Sequence, residues 1–194
     1  FKSNIELKNC NIINFTTGVY ASLGHYFNIT NCTFNNNTNY QIHLARSQNC
    51  SIENNTFIDG SSYQLYLQGT TMGSSGNYVY NNIFNRTVVP TADKPSVYAL
   101  GESDNILIDN NVFDNVEALR FVDADNITIS NIEILNVPTI SSYSIYALTS
   151  SNIILHNSTM AYGDQYALFD ISSNIQVVEN QLINTTGIVP LRFK

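Results

Sequence analysis

Tryptophan is absent from this 194-residue sequence, and cationic side chains are scarce. Lys and Arg together number 8 against 15 Asp and Glu, which gives a net charge of −7. Only 12% of the residues are charged, about half of the usual share. A chain with so few cations can neutralise little phosphate, so we expect no nucleic-acid partner. The sequence also lacks a run of about 18 apolar residues, which excludes a membrane-spanning helix.

Asparagine, in contrast, occurs 29 times, beside 12 Tyr and many β-branched residues. These residue types are poor helix formers, so the composition excludes a helical bundle. With 43% hydrophobic residues, a chain of this length suits one ordinary domain with a real core. The sequence starts at Phe1 with neither an initiator Met nor a secretory signal, so we expect a processed or excised piece.

An internal repeat of 21 to 29 residues runs along the chain. Its anchor, defined here as position 0, is a large apolar residue that follows an Asn by three positions. The anchors are Ile12, Phe34, Phe57, Phe84, Phe113, Ile134, Met160 and Leu182. Positions −7 and −5 are mostly aliphatic, and position −3 is Asn in every copy except the last, which has Glu179. Such a repeat is typical of a solenoid.

The spacing of the apolar positions predicts the path of one coil. Positions −7 and −5 share one face of a short strand. Position 0 also points inward, so the chain must bend at the Asn-rich positions −3 and −2, where Asn tolerates a left-handed backbone. Stacked coils about 4.8 Å apart would let these amides bond in a ladder. A further alternating strand, such as Leu65-Tyr66-Leu67, closes each coil, which predicts a parallel β-solenoid.

The segment 106–115, with the sequence ILIDNNVFDN, resembles the core of the parallel β-helix repeat family. The resemblance covers essentially the whole chain. It implies an all-β, single-stranded, right-handed, pectate-lyase-like parallel β-helix of about eight coils, with three short strands per coil in one domain over residues 1–194. The family includes polysaccharide lyases, glycoside hydrolases, epimerases, phage tailspikes and adhesin-like surface proteins, so the resemblance implies fold more than function.

The ends of the sequence show no polar capping segment, which solenoids generally need for solubility. We therefore expect either a segment of a longer solenoid or a piece that stacks end to end with copies of itself. The longer coils place insertions at 69–76, 87–96 and 137–143. Insertions in a solenoid map to one side, often the binding side, although they can also be tolerated decoration.

Outward positions of the closing strand form a stripe of rings and polar groups. The stripe is predicted to comprise Tyr20, His43, Tyr66, Tyr98, Arg120 and Tyr146, flanked by Gln41, Gln64 and Gln68. Amphipathic rings beside amides suit the binding of sugars or of another protein. In pectate-lyase-like proteins this sheet and its loops form the substrate cleft. The alternative is that Tyr is simply a good strand former on an exposed face.

Four carboxylates are predicted to meet in one turn of adjacent coils, because the aligned columns place Glu102 above Asp123 and Asp104 above Asp125. Carboxylates about 5 Å apart repel one another unless a cation or full hydration compensates. Oxygen ligands suit Ca²⁺, so the turn is a candidate calcium site. The alternatives are a solvated acidic turn, or catalysis in which Glu102 and Asp123 act as acid and base near Arg120.

Known catalytic signatures of the family are missing. The paired-aspartate and Gly-His-Gly elements of polygalacturonase-type hydrolases do not occur, and no Lys or Arg cluster resembles the arrangement of the pectate lyases. With three His in the chain, a His-centred metal site or triad is not expected either.

Cysteines and sequons give weaker indications. Cys10 and Cys32 share position −2 in adjacent coils, but nearly parallel side chains disfavour a disulfide, so we expect free thiols; Cys50 is expected in the core. Of the ten Asn-x-Ser/Thr sequons, those at Asn31, Asn54 and Asn157 are expected to be inaccessible within the ladder. The outward-pointing Asn28 and Asn85 are the predicted glycosylation sites.

These observations favour a non-catalytic, secreted, extracellular β-helix with an adhesive or structural role at the cell surface. Its partners would be a surface polysaccharide or copies of itself, assembled end to end or laterally. The alternative is a polysaccharide lyase or glycoside hydrolase with a cleft on the tyrosine-bearing sheet. Apart from the candidate Ca²⁺, no cofactor is expected.

Overall fold

The computed structural model describes residues 2–60, 62–69, 73–87, 94–138, 143–162, 167–183 and 191–193. The chain winds as a solenoid in which each coil adds one strand to each of three parallel, eight-stranded sheets. No helix occurs within these ranges. The predicted all-β solenoid with three short strands per coil is therefore confirmed.

The strands fall into three sets that recur in chain order. The first sheet contains β1 (Lys2–Lys8), β4 (Gly24–Thr30), β7 (Ser51–Glu53), β10 (Tyr78–Tyr80), β13 (Ile106–Asp109), β16 (Ile127–Ser130), β19 (Ser151–His156) and β22 (Ser173–Val178). The second contains β2 (Asn11–Ile13), β5 (Thr33–Asn35), β8 (Thr56–Ile58), β11 (Ile83–Asn85), β14 (Val112–Asp114), β17 (Glu133–Leu135), β20 (Thr159–Ala161) and β23 (Gln181–Ile183). The third contains β3 (Thr17–Ser22), β6 (Tyr40–Ala45), β9 (Leu65–Gln68), β12 (Pro95–Leu100), β15 (Glu117–Val122), β18 (Ile145–Leu148), β21 (Ala167–Asp170) and β24 (Leu191–Phe193).

The core fills the inside of the solenoid and consists of the predicted apolar columns. At position 0, the rings of Phe34, Phe57, Phe84 and Phe113 stack on one another, with centroids 5.1, 4.6 and 4.8 Å apart along the column. All four are fully buried. Positions −7 and −5 of the central coils are buried as well, Cys50 included. The two-residue alternation and the inward anchor are both confirmed.

Asparagine amides bond from coil to coil at both predicted positions. At position −3 the ladder is exposed, and Asn110 Nδ2 donates to Asn81 Oδ1 at 3.2 Å. At position −2 the ladder is buried. Asn55, Asn82 and Asn111 are buried there, and their amides bond from coil to coil: Asn82 Nδ2 donates to Asn111 Oδ1 at 3.0 Å, and Asn55 Nδ2 to Asn82 Oδ1 at 3.1 Å. Each ladder oxygen also accepts from a backbone N–H of the preceding coil, as Asn111 Oδ1 does from Asn82 at 2.9 Å. Cys10 and Cys32 occupy this column in the first two coils and are free thiols, as expected.

Position −3 faces solvent, so the expectation that Asn31, Asn54 and Asn157 are inaccessible is wrong; all three are exposed. The reason is backbone geometry. Asparagines at this position have positive φ, for example 54° at Asn81 and 53° at Asn110, and this left-handed residue turns its own side chain outward while directing position −2 inward. The same conformation recurs at positions −8 and +2 of most coils, as at Asn105 and Asn115.

Candidate functional site

The six residues of the predicted stripe lie side by side in one row on the outer face of the third sheet. This tyrosine row comprises Tyr20, His43, Tyr66, Tyr98, Arg120 and Tyr146, which pair in register from β3 through β18. Ring centroids are 5.0 Å apart for Tyr20 and His43, 4.8 Å for His43 and Tyr66, and 5.3 Å for Tyr66 and Tyr98. The row is thus a continuous surface across six coils, and its binding role stays a prediction.

A second row, three residues earlier in each coil, widens this surface. It comprises Tyr40, Tyr63, Glu117 and Tyr143. Tyr40 stacks on Tyr66 at 5.3 Å, and Tyr63 contacts Tyr98 edge-on at 4.9 Å. This row escaped the sequence analysis because its members precede the regular alternation of the closing strand.

The rings turn their faces to one another rather than to solvent. The planes of His43 and Tyr66 differ by 25° and those of Tyr66 and Tyr98 by 17°, and rings so close and so nearly parallel must overlap face to face. Tyr66 is only 7% exposed, whereas Tyr20, at the end of the row, is 62% exposed. The surface therefore presents ring edges and hydroxyl groups, with an open ring face at Tyr20.

Burial keeps the rings of this surface uncharged. Burial, reinforced by the neighbouring Tyr98, Tyr40 and Tyr63, raises the pKa of Tyr66 to about 12. Burial likewise raises the pKa of Tyr98 and lowers that of His43, which bonds Gln68 Oε1 through Nε2 at 2.9 Å. The phenols are therefore protonated hydrogen-bond donors, and the imidazole favours its neutral form.

A buried ion pair interrupts the aromatic surface. Arg120 donates from Nε and Nη2 to Glu117 Oε1 at 3.0 and 2.7 Å. The Glu117 side chain is fully buried, whereas that of Arg120 is 20% exposed and lies 5.7 Å from the Tyr146 ring centroid. Sequence reasoning missed Glu117, although its spacing of three from Arg120, in the column of Tyr40 and Tyr63, was the available signal.

Arg86 is buried, interacts electrostatically with Glu117, and joins two turns by hydrogen bonds. Its Nη1 donates to the carbonyl oxygen of Gly60 at 2.7 Å, and its Nη2 bonds the carbonyl oxygens of Ser62 and Lys94. Burial lowers the pKa of Arg86 to about 10, although the carboxylates of Asp59 and Glu117 oppose that shift. Arg86 occupies position +2, where six of the other seven coils have Asn or Asp and one has Tyr162, and this substitution was the signal in the sequence.

Two of the three flanking glutamines do not face the row. Gln41 and Gln64 are fully buried. Gln41 Nε2 donates to the carbonyl oxygen of Ile58 at 3.1 Å, and Gln64 Nε2 to that of Asn85 at 2.9 Å. Their amides donate hydrogen bonds to backbone carbonyls of the buried bend that precedes the closing strand, so the prediction that they flank the row on its outer face is wrong for these two. Gln68 does border the row, through His43.

The acidic turn has the predicted stacking, since the Glu102 N–H donates to the Asp123 carbonyl at 2.8 Å. Its carboxylates are engaged by donors: Asp104 Oδ1 accepts from the Asp125 N–H at 2.9 Å, and Asp125 Oδ1 from Ser151 Oγ at 2.7 Å. Asp123 accepts from the Thr149 hydroxyl. No group of three or more His, Cys, Asp or Glu placed to hold a metal ion occurs in the described ranges. The calcium site gains no support here and stays a prediction.

The catalytic alternative uses Glu102, Asp123 and Arg120, and the side chains of Asp123 and Arg120 bond to different partners. Arg120 bonds Glu117 rather than Glu102 or Asp123. Asp123 and Arg120 both act electrostatically on the pKa of Tyr98, which Arg120 lowers and Asp123 raises.

The remaining predicted features border these surfaces. Residues 70–72, 88–93 and 139–142 of the three insertions lie outside the described residues, as does the sequon at Asn184. Asn28 is exposed on the outer face of β4, and Asn85 is partly exposed on β11. Their glycosylation stays a prediction. Within the described ranges, none of the structure is a helix of the length and hydrophobicity that crossing a bilayer requires.

A family model described as "Right handed beta helix region" matches residues 1–92. The chain is a right-handed parallel β-helix. The match agrees with the predicted resemblance to the parallel β-helix repeat family. No curated protein matches the sequence of this β-helix significantly.

Solved structures share the fold at low identity. The surface protein and adhesin PfbA of Streptococcus pneumoniae aligns with a TM-score of 0.71 and 16% identity, over 88% of this chain and 50% of that one. The A-module of the mannuronan C-5 epimerase AlgE6 of Azotobacter vinelandii aligns with a TM-score of 0.61 and 9% identity, over 99% and 63%. The β-helix thus spans half to under two thirds of these chains, and at such identities the likeness shows the fold alone.

Proposed function

We propose that this β-helix is an extracellular, non-catalytic adhesive module that binds a surface polysaccharide along the tyrosine row. The observation that carries the proposal is the series of ring contacts that joins Tyr20, His43, Tyr66 and Tyr98 across four adjacent coils. Such a surface offers a repeated set of donors and apolar edges to an extended, repetitive ligand. A surface adhesin with the same fold, PfbA, supports the extracellular assignment.

The ligand is expected to lie along the solenoid axis. Strands of adjacent coils are about 4.8 Å apart, so a polymer lying in this direction meets an equivalent side chain at each coil. The Glu117–Arg120 pair divides the row, with tyrosines on both sides, and Arg120 supplies a cation within it. The open ring face of Tyr20 suits stacking against a sugar face at one end.

The test is the affinity of the protein for a panel of neutral and acidic polysaccharides. Tyr98→Ala, in the middle of the row, is expected to lower the affinity about tenfold or more, as truncation of a central contact residue does. Tyr78→Ala, which removes a tyrosine from the first sheet, is the matched control and should bind as the unaltered protein does. Equal affinity of both variants, or no binding to any polysaccharide, would overturn the proposal.

The second candidate is a polysaccharide-active enzyme that uses Glu102, Asp123 and Arg120. The observation in its favour is that Asp123 and Arg120 both act electrostatically on the pKa of Tyr98, so an acid, a cation and a phenol interact at this part of the row. The mannuronan C-5 epimerase with the same fold is compatible with this candidate.

Release of new sugar ends from the same panel, with calcium and then with a chelator, separates the two candidates. Asp123→Asn is the variant of choice, because Asn tolerates the left-handed backbone that Asp123 adopts, with φ of 51°. Cleavage that Asp123→Asn abolishes would establish the enzyme. Binding without any cleavage would establish the adhesive module.

A further inference from the structure

Four tyrosines form a group of mutual ring contacts at the third sheet. Tyr40 lies on the second coil, Tyr63 and Tyr66 on the third, and Tyr98 on the fourth. Centroid distances in this tyrosine quartet are 6.0 Å for Tyr40 and Tyr63, 5.3 Å for Tyr40 and Tyr66, and 5.5 Å for Tyr63 and Tyr66. Tyr98 lies 4.9 Å from Tyr63 and 5.3 Å from Tyr66.

We propose that the tyrosine quartet is a site of oxidative cross-linking, at which a dityrosine bond between Tyr63 and Tyr98 joins two adjacent coils. The proposal goes beyond polysaccharide binding and does not rest on it. Tyr63 and Tyr98 have the shortest centroid distance in the quartet, and their planes cross at 64°. The bond forms between ring carbons beside the hydroxyl groups, which lie at the ring edge, and an edge-on contact brings such an edge against the partner ring.

The chemistry requires a peroxide and a haem peroxidase as co-reactants. Each phenol loses one electron and one proton, and the two phenoxyl radicals couple through a new carbon–carbon bond. The hydrogens on the two joined carbons then move to the oxygens, which restores both phenols. One hydrogen peroxide accepts the two electrons and two protons and leaves as two waters, so the protein loses two hydrogen atoms.

The environment favours coupling within the quartet over coupling between molecules. Tyr40, Tyr63 and Tyr98 are partly exposed, so an oxidant reaches them, whereas Tyr66 is buried among them. Because the rings are in contact, a radical formed on one ring by loss of an electron is shared with its neighbours. Tyr98 lies on β12, and Tyr63 lies two residues before β9, which pairs with β12 in register, so the paired strands keep the two rings near each other.

Two other stacked pairs provide the comparison. Tyr78 and Tyr80 lie 5.5 Å apart on β10, and Tyr143 and Tyr146 lie 5.1 Å apart in one coil. A bond within either pair would close a ring of only a few residues in a single coil. Only a bond between coils closes a long segment and restrains the unfolded chain.

The test oxidises dilute protein with peroxidase and hydrogen peroxide and measures dityrosine fluorescence, intact mass and the cross-linked peptides. We expect a monomer lighter by two hydrogen atoms, a cross-linked peptide pair containing Tyr63 and Tyr98, and a higher midpoint of thermal unfolding. Tyr63→Phe and Tyr98→Phe, which keep the ring contacts, should each lower the monomeric dityrosine yield at least fivefold. Tyr78→Phe and Tyr143→Phe should leave it unchanged. Cross-links only between molecules, or a yield insensitive to Tyr63→Phe and Tyr98→Phe, would overturn the proposal.

Discussion

Glu117 and Arg120 form a 2.7 Å ion pair in the two columns that the next coil fills with the stacked rings of Tyr143 and Tyr146. A charged pair has thus replaced an aromatic pair without a change in the backbone path. The Glu117 side chain is fully buried and that of Arg120 is only 20% exposed. The pair is therefore a fixed part of the outer face of the third sheet rather than a mobile surface contact.

Removal of one partner of this pair should cost more than removal of both. Arg120→Leu is expected to lower the free energy of unfolding by about 2 kcal/mol, less than for a fully buried pair because the guanidinium is partly exposed. The double variant Glu117→Tyr/Arg120→Tyr restores the aromatic pair of the next coil and should recover most of that loss. Urea unfolding of Glu117→Tyr, of Arg120→Tyr and of the double variant measures the coupling, and strictly additive effects would contradict the prediction.

The phenylalanine stack should carry much of the stability. Phe84→Ala removes a fully buried ring between Phe57 and Phe113, and we expect a loss of about 3–5 kcal/mol in the free energy of unfolding. The matched control is Ile83→Ala on the adjacent, exposed position, which should cost less than about 1 kcal/mol. The midpoint of urea unfolding gives both values, and similar losses for the two variants would refute the inward assignment of position 0.

Substitution should lower the free energy of unfolding much more in the buried ladder than at the exposed corner next to it. Asn82→Leu removes the acceptor of the buried Asn55 backbone N–H and the amide donor to the Ile52 carbonyl and to Asn111 Oδ1, which should cost at least about 2 kcal/mol of unfolding free energy. Asn81→Gly keeps the left-handed backbone of the corner and removes only solvent-exposed amide bonds with Asn54 and Asn110, so it should cost less than about 1 kcal/mol. Thermal unfolding followed by circular dichroism ranks the two variants, and a greater loss for Asn81→Gly would contradict the prediction.

The imidazole of His43 should make stability depend on mildly acidic pH. Burial among the rings lowers the pKa of His43 below its usual 6.5, so the unfolded chain takes up a proton at a pH where the folded protein does not. Stability is therefore fully present above about pH 6.5 and falls as the pH drops through that value toward the folded pKa. His43→Gln should flatten the dependence of the urea midpoint between pH 7 and 5.5. Identical slopes for the two proteins would contradict this.

The sequence predicts the frame of this molecule better than its surface. The columns at −7, −5 and 0 follow from strand alternation, and the register of the tyrosine row follows from aligning them. The ladder was predicted at positions −3 and −2, but the sequence did not show which of the two is buried, because Asn54 and Asn55 are adjacent within a bend, where no two-residue period distinguishes inward from outward. The burial of Gln64 and the orientation of the rings depend on contacts between coils. The sequence of a single repeat does not contain those contacts.

The corners at −8, −3 and +2, which are left-handed in most coils, are five residues apart in every repeat, so the segment that carries the first two sheets has a constant length throughout the chain. All variation in repeat length, from 21 to 29 residues, falls between +2 of one coil and −8 of the next, which is the part that carries the third sheet and its turns. Evolution can therefore lengthen, shorten or exchange the segments that border the tyrosine row while the other two walls keep their register. The same separation makes those segments the places where foreign loops can be grafted.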